Sequence, residues 1–153
     1  MKRISLTQGR FALVDNEDFN WLNQWNWCVN SENMVMRGKT INGRLKMIVM
    51  HRLIMQPPAD LQIDHKNGDR LDNRRSNLRI CTGSQNCMNR VATTKGTTGY
   101  KGVTKIRNKY RANIKLEGKK IHLGYFNDVK EAALVYNKAA KKYFGEFALL
   151  NNI

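Results

Sequence analysis

An aspartate and a histidine stand side by side at positions 64 and 65, and an asparagine follows at position 86. Asp and Asn offer oxygen donors, which suit a hard ion such as Mg²⁺ that keeps several waters and takes few protein ligands. Unperturbed histidine titrates at ~6.5, close to working pH, as a general base needs. The local sequence says how these groups meet. Leu61 to His65 reads as a short extended segment, Asn67-Gly68 as a turn and Asn77 to Cys81 as a second strand. Thr82 or Ser84 can cap a helix carrying Gln85, Asn86 and Met88. Asp64 and His65, adjacent at a strand end, leave it on opposite sides. A helix packed across the strand pair would bring the Asp64 carboxylate and the Asn86 amide oxygen to one cation.

The runs I-D-H-K-N-G-D, L-D-N-R-R-S-N-L-R and S-Q-N, in this order over about forty residues, closely resemble the H-N-H nucleases of ββα-metal fold. The likeness is greatest to the H-N-H homing endonucleases of phages and mobile introns. The resemblance implies a role for each matching position. Asp64 binds the metal, and His65 deprotonates the attacking water. Asn77 braces the loop carrying His65, and Asn86 is the second metal ligand. It implies hydrolysis of a DNA phosphodiester to 5′-phosphate and 3′-hydroxyl ends, with the metal neutralising charge on the phosphate and the departing oxygen. Asn at the third position removes a nitrogen ligand, which favours Mg²⁺, or another divalent ion such as Mn²⁺, over Zn²⁺. Arg74, Arg75 and Arg79 are expected phosphate contacts, although an ordinary basic surface also accounts for them. His51 either reaches the scissile phosphate or packs structurally. Asn67, Asp69, Asp72 and Asn73 read mostly as turn formers, with one of them open to supporting the site from behind.

Elements on either side must position this centre. Residues 1–50 read as a mixed α/β leader packed with the nuclease unit, 51–92. Phe11 to Val14 is a short apolar run, and Asp15 to Asp18 offers a helix start. Phe19, Trp21, Leu22 and Trp25 then form one helix face, with Trp27 beyond it. Met34 to Arg37 and Leu45 to Met50 read as strands about the turn Asn42-Gly43. The tryptophans at this spacing belong to a core more readily than to a base-stacking surface. Val91 to Gly99, V-A-T-T-K-G-T-T-G, reads as a linker, with the boundary placed at 93–98.

Residues 99–153 predict three short strands and a helix. Tyr100 to Ile106 comes first. Tyr110 to Glu117 puts Ala112, Ile114 and Leu116 on one face, and Lys119 to Phe126 does the same with Ile121, Leu123 and Tyr125. Asp128 and Glu131 have capping-box spacing, an apolar stripe runs from Val129 to Tyr143, and Gly145 ends the helix. The opposite sheet face would carry Thr104, Arg111, Asn113, Lys115, Lys120 and His122, with Lys101 where the first strand begins. The runs Y-K-G-V, L-G-Y-F, E-A-A-L-V-Y-N-K-A-A and F-A-L-L-N resemble the plant ethylene-response-factor (APETALA-type) DNA-binding domain. That resemblance implies double-stranded DNA as the partner. The Arg and Trp with which that family reads bases are replaced here, so its target sequence does not carry over.

The whole is expected to be α+β: an H-N-H unit followed by a three-stranded antiparallel sheet packed on one helix. Net charge agrees with a polyanionic partner. It is +15 over 153 residues, and residues 97–153, with 12 basic and 4 acidic side chains, hold more than half of it. No apolar run exceeds five residues (Ala132 to Tyr136), which excludes a membrane-spanning helix. The basic N-terminus lacks the apolar stretch of a secretory signal. Three cysteines, Cys28, Cys81 and Cys87, fit neither a disulfide framework nor a zinc knuckle. A reducing location is expected: the cytoplasm of a bacterial or phage-infected cell, or the host nucleus or cytoplasm for a eukaryotic virus. The expectation is therefore a metal-dependent, site-preferring endonuclease of a mobile element, monomer or homodimer. A DNA-binding regulator with an inactive nuclease half is the other reading, opposed by the intact set Asp64, His65, Asn77 and Asn86.

Overall fold

The apolar run Phe11 to Val14 forms a strand, and its partner comes from a segment with a single apolar residue, Ile4. In the structure, a computed structural model, β1 (Lys2–Ser5) pairs antiparallel with β2 (Phe11–Val14). Residues 1–89 and 98–153 are described, in two compact units, Met1–Gly83 and Ser84–Ile153. The expected boundary at 93–98 lies, apart from Thr98, outside the described residues. No described helix is long and apolar enough to cross a membrane.

In the first unit, α1 (Asn16–Leu22) follows Asp15 and ends sooner than the apolar pattern suggests. The Leu22 carbonyl accepts the Trp27 indole N–H at 2.9 Å. Trp25 therefore lies in the turn beyond the helix, not on its face. Its ring meets Trp21 and Trp27 edge-on, at 6.1 and 6.2 Å between centroids, and Trp27 is fully buried. Next come β3 (Cys28–Val29), β4 (Val35–Ile41) and β5 (Arg44–Val49), an antiparallel sheet in the order β3-β4-β5. Asn42 and Gly43 both take positive φ at the β4–β5 turn, as a two-residue Asn-Gly hairpin requires. Helix α2 (Met50–Met55) follows directly and stops at Gln56, whose φ is 45°; Pro57 and Pro58 cannot extend it. Last come β6 (Gln62–His65) and β7 (Leu78–Cys81), an antiparallel pair. One core joins all of these. Ile4, Val14, Leu22, Trp27, Val35, Met50 and Ile54 pack with Ile63 of β6 and Leu78 of β7.

The second unit contains most of α3 (Gly83–Met88). Met88 packs with Ile114, Tyr136 and Phe144, and Lys101 Nζ donates to its carbonyl. Strands β8 (Val103–Ile106), β9 (Lys109–Leu116) and β10 (Lys119–Phe126) form an antiparallel sheet in the order β10-β9-β8. Helix α4 (Val129–Phe144) packs on it through Ala132, Ala133, Tyr136 and Ala140. Its N-cap, Asp128, accepts from the Glu131 N–H at 2.8 Å. Gly102 has φ of 76°, and a Cβ there would sit 2.1 Å from the Tyr136 ring and 2.7 Å from the Asn113 carbonyl. Only glycine lets this backbone lie so close to α4. Asn151 clasps the chain end in place, bonding the backbone of Lys101 and the side chain of Asn137.

Strand β10 departs from simple alternation. A bulge between His122 and Gly124 shifts the register. Leu123 still packs in the core, but Tyr125 moves to the open face, opposite Arg111, and is half exposed. The period-2 reading that grouped Tyr125 with Ile121 and Leu123 fails for that reason.

Candidate active site

Strand pairing in β6–β7 fixes the first group. The register puts Asp64 opposite Arg79 and His65 opposite Leu78. Directly opposite side chains meet on one face, and Arg79 Nε and Nη2 donate to Asp64 Oδ2 at 2.8 and 2.6 Å. Both side chains are nearly buried, at 10% and 7% exposure. A charge-assisted fork thus holds the carboxylate in one orientation.

His65 leaves β6 on the other side, toward the core residue Ile63. There its ring meets that of His51, on α2, edge-on at 5.1 Å between centroids. Both rings are buried. Burial, with His65 alongside, pushes His51 down to about 3. Burial also lowers His65, while Asn73 and the Asp64 carboxylate oppose that shift. A neutral imidazole at working pH is the form that accepts a proton.

The loop from Lys66 to Asn77 is organised by its own polar side chains. Asn77, itself buried, accepts the Asn67 N–H on Oδ1 at 3.0 Å and donates from Nδ2 to the Asp72 carbonyl at 2.8 Å. One amide thus ties the start of the loop, just past His65, to its middle. The Gly68 N–H donates to the His65 carbonyl at 2.8 Å. Asp72 carries the far side: it accepts from Asn67 Nδ2 and from Arg74 Nε and Nη2, and Arg74 holds its pKa below the usual carboxylate range. Backbone bonds from Leu13 to Leu71 and from Asn73 to Leu13 pin the loop to β2.

The structure therefore gathers Asp64, His65, Asn77 and His51 in the first unit. It places Asn86 on α3, within the second unit. The expected phosphate-contacting arginines all make carboxylate pairs inside the first unit: Arg74 with Asp72, Arg75 with Asp18 and Glu17, and Arg79 with Asp64. Asp72 and Asn73, read as turn formers, prove to be buried supports of the site. The Arg79–Asp64 pair was within reach of the sequence, because β6 and β7 in register place these residues opposite each other.

A divalent ion can be tested against these donors. Among the described residues no group of three or more His, Cys, Asp or Glu is placed to share a metal, so a closed nitrogen–sulfur cage is not offered. One oriented carboxylate fits a hard ion that retains its water.

In the second unit Thr104, Arg111 and Tyr125 form one row across three strands, and Lys115 lies opposite Lys120. Lys115, Lys120 and His122 are exposed. Two expected contacts are covered instead. Asn113 is buried, with Oδ1 3.4 Å from His122 Nδ1. Lys101 is half-buried against Met88, and burial lowers its pKa.

Residues 49–88 match the model of the HNH endonuclease family, a span that contains His51, Asp64, His65, Asn77, Arg79 and Asn86. Over that span the chain is similar to an HNH endonuclease domain. A protein of Acanthamoeba polyphaga mimivirus described as an uncharacterized HNH endonuclease is 29% identical over 153 positions, covering 95% of this chain and 77% of its own length. No solved structure matches.

Proposed function

We propose that this protein is a metal-dependent, site-preferring DNA endonuclease of the homing type, cutting phosphodiester bonds to leave 5′-phosphate and 3′-hydroxyl ends. The observation that carries the reading is the buried His65 ring against His51, next in the chain to the Asp64 carboxylate that Arg79 orients, inside the segment that matches the HNH family. His65 takes the proton of a water molecule as its oxygen attacks phosphorus. The bond from phosphorus to the 3′-oxygen breaks, and that oxygen leaves with the electron pair and collects a proton from solvent. Asp64 would hold the divalent ion, Mg²⁺ or Mn²⁺, with Asn86 assigned as a second oxygen ligand by its motif position alone. When bound, such an ion supplies charge neutralisation at the phosphate and the departing oxygen. Asn77 keeps the loop that follows His65 in place, and His51 sets the tilt of its ring.

Site choice must come from elsewhere, since a small metal site cleaves any phosphate it reaches. We assign it to the three-stranded sheet of the second unit, an APETALA-type DNA-binding module in this reading, through Thr104, Arg111, Lys115, Lys120 and His122. Digesting a library of random duplexes with Mg²⁺ and sequencing the ends tests this. An enriched site whose ends religate without a kinase is expected; 3′-phosphate ends or no enrichment would overturn it.

A further inference from the structure

Strands β4 and β5 extend well past the core. Val35 is buried at the base, whereas Gly38 to Thr40 and Asn42 to Met47 are exposed. The register sets Arg37 opposite Ile48, Lys39 opposite Lys46 and Ile41 opposite Arg44. Opposed residues share a face, as do residues two apart along a strand. One face of the ribbon therefore carries Arg37, Lys39, Lys46 and Arg44. Arg37, at the base, stacks over the Trp25 ring at 4.1 Å. The other three stand in solvent, and among the described residues none is in an ion pair. No acidic residue occurs between Glu32 and Asp60 to offset them.

Two lysines directly opposite each other destabilise a ribbon. A third cation beside them, with no carboxylate in the segment, makes a surface that a polyanion stabilises. The ribbon also stands in a telling place. β5 ends at Val49, α2 starts at Met50, and His51 packs on His65. No loop separates the charged ribbon from the candidate active site.

We propose that the β4–β5 ribbon is a second DNA-contacting element, which holds the phosphates of the duplex next to the cut through Lys39, Arg44 and Lys46. It rests on the nuclease reading only for the statement that a cut lies nearby. A two-stranded ribbon fits the major groove of B-form DNA, about 12 Å wide. The deep, narrow groove of A-form RNA does not admit it. The ribbon would set where the strand lies over His65, while the second unit selects the site.

The test is a salt titration of binding to a labelled DNA duplex in EDTA, using the full chain and the triple variant Lys39→Gln, Arg44→Gln, Lys46→Gln. At about 0.9 per phosphate contact, the slope of log affinity against log salt should become shallower by about 2.7. Substituting both lysines with arginine should keep the full slope, which separates lost charge from lost fold. An unchanged slope in the triple variant overturns the proposal, and so does equal or tighter binding of duplex RNA with the same loss. Plasmid cutting by the unaltered protein is read alongside. A shallower slope with no cutting keeps the ribbon and sinks the nuclease reading; cutting with an unchanged slope does the reverse.

Discussion

Replacing Arg79 with methionine removes the fork that holds Asp64 while keeping much of the side-chain bulk. Two charge-assisted bonds, at 2.8 and 2.6 Å, would be lost. They join groups that are 10% and 7% exposed, so water cannot replace them fully. Cutting one partner from a buried pair leaves an uncompensated charge and costs about 3–5 kcal/mol, a large part of the roughly 5–15 kcal/mol that holds a domain together. The double variant Asp64→Asn, Arg79→Met has no charge to strand and should recover most of the loss, giving a coupling of about 2–3 kcal/mol in a double-mutant cycle. Urea unfolding at pH 7.5 measures all four proteins. In Arg79→Met, millimolar Mg²⁺ should restore part of the stability, because an ion that binds only the native state stabilises it. A cost below about 1 kcal/mol, the value of an exposed pair, would refute the reasoning. Asp64 would then be a solvated carboxylate, and Arg79 would be free to meet phosphate.

Three further outcomes are expected. His51 and His65 are both depressed by burial, so the unfolded chain binds protons that the folded one refuses. Their stabilising contribution is complete above pH ~6.5 and declines as pH falls toward the folded values, by up to about 1.4 kcal/mol per pH unit for each ring. His51→Leu should flatten the urea midpoint between pH 6.5 and 5; an unchanged profile would place the acid sensitivity elsewhere. Asn77→Ala should cost about 2–4 kcal/mol, because the Asn67 N–H and the Asp72 carbonyl each lose a buried partner, and should slow cutting with little change in DNA binding, measured by urea melts and gel shift. Gly102→Ala should unfold the second unit or cost more than about 3 kcal/mol, since the new Cβ meets Tyr136 at 2.1 Å at a φ of 76°; a wild-type melting temperature would show that α4 can move aside.

Much of this was legible in the sequence wherever a local rule acts alone. The Asn42-Gly43 hairpin and the Asp128 cap follow from turn chemistry and capping. What escaped depends on groups distant in the chain. β1 has one apolar residue and is made a strand by β2. α1 stops where the Trp27 indole takes a carbonyl that would have continued it. The bulge at Leu123 carries no glycine–proline signature, only Gly124 beside it, and it moves Tyr125 to the other face. At the candidate site, the strand–turn–strand order that places Asp64 and His65 at the end of β6 was readable; the roles proposed for them and for Asn77 come from the H-N-H resemblance. The pairing of Arg74 and Arg75 with carboxylates was not readable, because a cluster of arginines reads as surface until its partners are placed.

The most direct measurement is the nicking of supercoiled plasmid in Mg²⁺ by the unaltered protein and by His65→Ala, with DNA binding of both followed by gel shift. The unaltered protein should convert the plasmid to nicked or linear forms, chelation should stop it, and His65→Ala should bind DNA as well yet cut at least about 100-fold more slowly, the lower bound for losing a general base. An intact plasmid with the unaltered protein in both Mg²⁺ and Mn²⁺, or undiminished cutting by His65→Ala, would contradict the assignment of hydrolysis to this centre.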